Sequence, residues 1–129
     1  MAAKSSPTHC CSPKPSLKER LLLTPIQAGG LAAVFKVLAN DTRLRLLHAL
    51  VRADELCVTD LAAALAMKPQ AISNQLQRLS DLSILASRRD GSSIFYRVVD
   101  PCVMTLLDQG LCLVEDANDR TARPTTNGR

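Results

Sequence analysis

A mainly α-helical fold with one small β-hairpin is predicted by three features of the chain. Apolar residues recur at helical spacing through most of its length. Residues 56–85, LCVTDLAAALAMKPQAISNQLQRLSDLSIL, read as two amphipathic helices joined by a short break. Asp90-Gly91 lies between two short alternating runs and marks the hairpin turn.

Taken in order, residues 1–23 are expected to form a mobile arm. The first sixteen are rich in Ser, Pro and Lys, contain His9-Cys10-Cys11, and carry too little apolar surface to fold alone. A short helical turn is expected within 17–23. The first solid helix is placed at 25–39, with Leu31, Val34, Phe35 and Leu38 at i, i+3, i+4 and i+7. Gly29-Gly30 predicts a kink or a late start there, since each interior glycine costs about 1 kcal/mol. Asn40-Asp41 offers an N-cap for a second helix, 41–52. Leu44, Leu47 and Val51 are expected on one side of it, with Leu46 and Leu50 adjacent, as in a central helix packed on two sides. Arg43, Arg45 and Arg52 fall outside that stripe and read as a solvated face, with phosphate contact as the functional alternative. His48, among leucines, reads as structural.

Residues 53–55 read as a polar loop. In the next helix Val58, Leu61, Ala62 and Leu65 share a face, and Thr59 or Asp60 is the expected cap. Met67-Lys68-Pro69 breaks it, Pro being welcome in the first turn of the following helix. In that helix Ile72, Leu76 and Leu79 are apolar, and Gln70, Ser73, Asn74 and Gln77 lie opposite. Such uncharged side chains both donate and accept, the chemistry that reads base edges in a major groove. Lys68 and Arg78 add positive charge. A strand over 84–89, an Asp90-Gly91 turn of type I′ and a returning strand over 93–98 follow, with Arg88 and Arg89 near the tip. A helix-turn-helix followed at once by a basic-tipped hairpin is a winged helix-turn-helix. Its wing arginines suit the DNA backbone or minor groove. Asp100-Pro101 starts a last helix to about Asp116, with Val103, Leu107, Leu111 and Val114 as its stripe. Nothing after it covers that stripe, so a dimeric fold is expected, with a second copy of the chain as the two-fold partner. The folded domain is therefore placed at 24–116 and a disordered tail at 117–129.

The whole composition agrees with one domain. The 129 residues are 47% hydrophobic, enough for a real core. Aromatics are 2%, which argues against stacking platforms for single strands. The net charge of +4 favours a polyanionic partner, and its distribution says more. Lys68, Arg78, Arg88, Arg89 and Arg97 face only Asp81 and Asp90 in the middle, whereas residues 100–119 hold no Lys or Arg. Double-stranded DNA is the expected partner. No secretory signal and no membrane span are visible, so a cytoplasmic location and free thiols are expected. Five cysteines cannot all pair within one chain. Enzyme activity is not expected, since no Gly-rich phosphate loop and no triad pattern is present.

Three segments, VFKVLANDTRLRLLHAL, ELCVTDLAAALAMKPQAISNQLQRL and RRDGSSIFYRVVD, together resemble the ArsR/SmtB family of metal-sensing repressors. The resemblance covers roughly 31–114. It implies a dimeric winged helix-turn-helix protein that holds operator DNA without metal and leaves when metal binds. It implies DNA contacts from Gln70, Ser73, Asn74 and Gln75; Asn74 departs from the His that many members carry. It also implies two metal sites. At the first, Cys57 matches a ligand of cadmium- and lead-sensing members, Thr59 stands where those often have a second Cys, and the arm supplies Cys10 and Cys11. Those three thiolates suit As(III), Pb(II) or Hg(II); Cd(II) wants a further ligand, and His9 is near in sequence. At the second, on the last helix, Asp100 and Asp116 match the acids, Cys102 stands for the first His and Leu113 for the second. The zinc site is thereby disrupted, and a softer one from Asp100, Cys102 and Cys112 of the other copy is implied. Cys112 within LCLV also reads as a packing residue, since buried Cys behaves as a small hydrophobe. Ligation displaces thiol protons, so metal affinity is expected to fall with pH. Two rival readings are a thiol-redox repressor triggered at Cys10, Cys11 or Cys57, and a metal-buffering protein, which leaves the wing unexplained.

Overall fold

The computed structural model of the chain describes residues 14–122. Their elements are α1 (Pro25–Leu38), α2 (Asp41–Ala53), β1 (Leu56–Cys57), α3 (Val58–Leu65), α4 (Pro69–Asp81), β2 (Leu85–Asp90), β3 (Ser93–Val98) and α5 (Pro101–Ala122). Helices α1–α4 and the sheet belong to one compact unit, Ser12–Asp100, and α5 to a second.

Only part of the turn expected over 17–23 forms, closed by the amides of Glu19 and Arg20 on the Ser16 carbonyl. Helix α1 starts at Pro25, as placed from the sequence, and is continuous through Gly29-Gly30 without the late start allowed there. Thr24 and Gln27 form a reciprocal capping box, with bonds of 3.0 and 3.1 Å, and Pro25 presets the first turn. These satisfied donors offset the cost of two exposed glycines. Asn40 caps α2 as expected, its Oδ1 accepting from the Arg43 amide at 3.0 Å.

Helix α2 is the centre of this unit and packs against α3, α4 and β3. Its buried face is Leu46, Leu47 and Leu50, each 0% exposed. The expected stripe is therefore rotated. At about 100° per residue, Leu44 and His48 point away from that face. Leu44 is partly exposed, and His48 is exposed rather than structural. Leu61, Ala62 and Leu65 of α3 and Ile72, Leu76 and Leu79 of α4 complete the core with Ile84, Leu85 and Val98.

The sheet has three strands in the order β1-β3-β2, all antiparallel. Strand β1 was not expected, because two residues carry no readable alternation. It pairs Leu56 with Tyr96 and Cys57 with Phe95, giving the marginal two-stranded hairpin a third strand. The turn also differs from expectation. Asp90 pairs with Ser93, so the loop is Gly91-Ser92, and only Gly91 takes positive φ, at 66°. That is the pattern of type II′ rather than I′, with glycine at the first loop position, where a side chain is strained.

Helix α3 is preceded by extended Cys57 as N-cap, not by the expected Thr59 or Asp60. It ends at Ala66 in the left-handed region, and Pro69 opens α4. In the second unit, α5 begins at Pro101 as expected but runs past Asp116 to Ala122, so the expected tail starts inside the helix. Val103 is buried, whereas Leu111 and Val114 are 53% and 55% exposed. No described helix is long and apolar enough to cross a membrane.

Truncating Leu47 to Ala is expected to destabilise the fold by about 2–5 kcal/mol, because the buried site cannot fully collapse. Urea unfolding of the two proteins measures it; a loss below about 1 kcal/mol would contradict the central role of α2.

Candidate nucleic-acid interface and cysteine sites

Burying Ile72, Leu76 and Leu79 turns the other side of α4 outward. Lys68, Gln70, Asn74, Gln77 and Arg78 are exposed, and Ser73 is half-buried. Gln70 donates to Asn74 Oδ1 at 3.3 Å, and Gln77 to Asp81 Oδ1 at 2.9 Å. These exposed bonds link side chains one turn apart and are exchangeable for base edges. The face can therefore present amide donors and acceptors together with two cations, as groove reading requires.

Gln75 departs from this set. It is half-buried, and its Oε1 accepts from Arg43 Nη1 at 2.8 Å. Arg43 Nε donates to the Val37 carbonyl at 2.6 Å. Arg43, expected on a solvated face, is a part-buried bridge from the end of α1 to α4. The helical period hints only that Arg43 lies one turn beyond its cap; its partner on α4 is 32 residues away and leaves no local signal.

The wing shows a second internal use of charge. Arg88 makes a bidentate pair with Glu55, at 2.8 and 2.7 Å, and lies 5.0 Å from the Phe95 ring centroid. It therefore ties β2 to the loop before β1, where a free wing cation was expected. Arg89 is exposed, opposite Ile94. The hydrogen bond from Arg88 holds the Glu55 carboxyl below its ordinary 4.5, helped by the charges of Arg88 and Arg97 and opposed by burial. The same bond, with the Glu55 charge, raises Arg88.

Cys57 is a half-buried free thiol whose Sγ donates to Asp60 Oδ2 at 3.2 Å. It lines an open groove of about 280 Å³ with Val58, Thr59, Ser73, Ser92, Ser93, Ile94 and Tyr96. The groove thus joins the start of α3, the outward edge of α4 and the wing. Cys112 is free and exposed, not packed as one reading expected. Cys102 is disulfide-bonded, which corrects the expectation of thiols throughout. Asp100 is half-buried and is not free. His9, Cys10 and Cys11 lie outside the described residues. Among the described residues no group of three or more His, Cys, Asp or Glu is gathered to hold a metal ion.

Residues 40–87, from the cap of α2 to β2, match the family model "Bacterial regulatory protein, arsR family". The chain is 39% identical over 105 residues to the arsenic resistance transcriptional regulator ArsR1 of Pseudomonas putida, covering 81% of this chain and 77% of that protein. It is 44% identical over 80 residues to a transcriptional repressor SmtB homologue of Synechocystis, covering 62% of this chain and 60% of that one. Among solved structures, the AntR antimony-specific transcriptional repressor is 63% identical, with a TM-score of 0.73, over 84% of this chain and 98% of that chain. The chain belongs to the arsR family. A homodimeric winged helix-turn-helix DNA-binding domain from Mycobacterium bovis is 27% identical with a TM-score of 0.60, over 85% of this chain and 100% of that chain.

Membership gives the geometry its meaning. The chain is a winged helix-turn-helix transcriptional repressor of the metal-responsive ArsR/SmtB type. Within that fold α3 and α4 form the helix-turn-helix, and β2 and β3 form the wing.

The Arg88–Glu55 pair has a definite pH signature. A carboxyl held below its ordinary value stabilises the fold above pH 4.5, and that contribution disappears as pH falls through the lowered folded value. Glu55→Gln removes it at every pH. Amide protection factors over residues 93–98, corrected for the intrinsic exchange rate at each pH, are expected to fall in Glu55→Gln at neutral pH, and in the wild type only below pH 4.5. Equal exchange in both proteins at neutral pH would show that the pair does not hold the wing.

Proposed function

We propose that this repressor binds operator DNA as a homodimer and loses affinity when a thiophilic ion binds its cysteine thiolates. The observation that carries the proposal is the groove at Cys57, which places a free thiol beside Ser73 of α4 and Ser92, Ser93, Ile94 and Tyr96 of the wing. A ligand drawn to that sulfur acts where the DNA-facing elements meet.

Lys68, Gln70, Ser73, Asn74, Gln77 and Arg78 carry the major-groove contacts in this reading, with Arg89 on the wing. The exposed Leu111 and Val114 of α5 support a second copy as the partner for that helix. A two-fold dimer also sets two recognition helices about one DNA turn apart.

As(III), Cd(II), Pb(II) and Hg(II) are the candidate inducers, and the similarity to an antimony-specific repressor adds Sb(III). All prefer sulfur. The donor chemistry at Cys57 fits in part: one sulfur, with the hard carboxylate of Asp60 beside it. Two further sulfurs complete a trigonal site, and Cys10 and Cys11 of the arm, residues 1–23, are the proposed source. Asp100 and Cys102, with Cys112 of the other copy, are the alternative set at the last helix. The working domain starts at residue 24 and includes α5 to its end at Ala122, and the repressor acts in the cytoplasm. The ion must prefer the conformation that releases DNA, with coupling of about 1–3 kcal/mol.

A redox trigger at Cys10, Cys11 or Cys57 is the second reading, and the free, half-buried thiol of Cys57 in the open groove supports it. It calls for release by peroxide without metal, reversed by a thiol reductant.

Operator binding by fluorescence anisotropy tests both, with ions titrated under reducing conditions and peroxide added in a separate run without metal or reductant. Sb(III) or As(III) is expected to weaken binding by about 5–150-fold, and Cys57→Ser to abolish that response while leaving metal-free binding intact. A response that survives Cys57→Ser but is lost in Cys102→Ser/Cys112→Ser moves the sensor to α5. No response to any thiophilic ion sinks the metal reading.

A further inference from the structure

The bridge from Arg43 to α4 is not explained by DNA contact or by metal sensing. The Arg43 backbone is held by Asn40 Oδ1 at 3.0 Å, so the residue is anchored at the α1–α2 corner. Its Nε satisfies the Val37 carbonyl, one of the last carbonyls of α1, which has no partner inside that helix. Its Nη1 reaches Gln75 in the middle of α4. A planar guanidinium presents its donors in a fixed fork, so two acceptors on different helices are locked at one separation.

The apolar stripe of α4 sets how deep that helix lies, but it resists small rotations about the axis only weakly. A rotation of about 10° moves a side-chain tip about 6 Å from the axis by about 1 Å. That is enough to spoil paired hydrogen bonds to a base edge. Gln75 sits between outward Asn74 and buried Leu76, at the margin of the reading face. A hydrogen bond there resists such rotation, whereas the same bond on the outer edge would compete with DNA.

We infer that Arg43 is a positioning residue for operator reading: it sets the rotation of α4 through Gln75, which serves as its acceptor and does not read a base. The inference rests on the operator-binding reading above. It also gives α1 a direct polar link to the recognition helix, so a displacement of the α1–α2 corner reaches α4 without passing through the core.

A double-mutant cycle on the full chain tests this, with a duplex selected by the wild-type protein from a random pool. Arg43→Met and Gln75→Met are each expected to lower affinity for the selected duplex about tenfold, and the double variant is expected to lose no more than the worse single. Affinity for a scrambled duplex and the slope of binding against salt should stay unchanged; a phosphate contact at Arg43 would instead reduce that slope by about one. Gln75→Glu keeps an acceptor for Arg43 and is expected to bind within about threefold of the wild type. It serves as the check if Arg43→Met proves unstable in urea. Additive losses, a reduced salt slope, a harmless Gln75→Met, or Gln75→Glu as damaging as Gln75→Met would each overturn the inference. A wild-type protein that selects no duplex would remove the operator reading itself; selection followed by additive losses would remove this inference alone.

Discussion

Burial of Leu46, Leu47 and Leu50 on α2 is the constraint from which the winged unit follows. One helix with apolar residues at i, i+1 and i+4 presents a face wide enough to meet α3, α4 and β3. Each of those elements must then turn its own apolar side toward α2. For α4 this decides which residues face outward, because Ile72, Leu76 and Leu79 have no other place to be buried. For β3 it brings Val98 inward and leaves the far end of the hairpin to project as a wing. The reading surface is thus the remainder left after core packing.

Polar brackets refine what packing leaves loose. Arg43 joins α1 to α4, and Arg88 joins the wing to the loop before β1. Both arginines belong to the cationic character that suggests a nucleic-acid partner, yet both spend hydrogen bonds within the protein. Besides Arg88, the exposed cations on α4, its N-cap and the wing strands are Lys68, Arg78, Arg89 and Arg97. Net charge alone therefore does not show how each cation is used, since Arg43 is bonded to Gln75 and Arg88 to Glu55.

The cysteines divide along similar lines. Cys57 is the N-cap of α3, but its side chain caps no backbone amide and donates instead to the Asp60 side chain in the first turn. A thiol without a capping role can be drawn to an ion at little cost to the helix. Its pairing with Phe95 across β1 and β3 places it against the sheet that carries the wing. Cys112, by contrast, lies exposed on α5.

Local sequence determined the helices, the cap at Asn40, Pro69 as the first residue of α4, the hairpin and the outward polar face of α4. Each rests on interactions within about one turn or across one tight turn, so periodicity and capping chemistry report them. It placed the start of α1 at Pro25 correctly, but it also allowed a late start at Gly29-Gly30, which the capping box at Thr24 and Gln27 outweighs. It misjudged the faces of α2 because a helix so rich in leucine carries several plausible stripes, and only its neighbours choose among them. Tertiary structure alone decided β1, the Arg43–Gln75 bridge and the Arg88–Glu55 pair, whose partners stand 32 and 33 residues apart. Such contacts form between side chains that the fold happens to bring within hydrogen-bond reach, and no local pattern encodes that meeting.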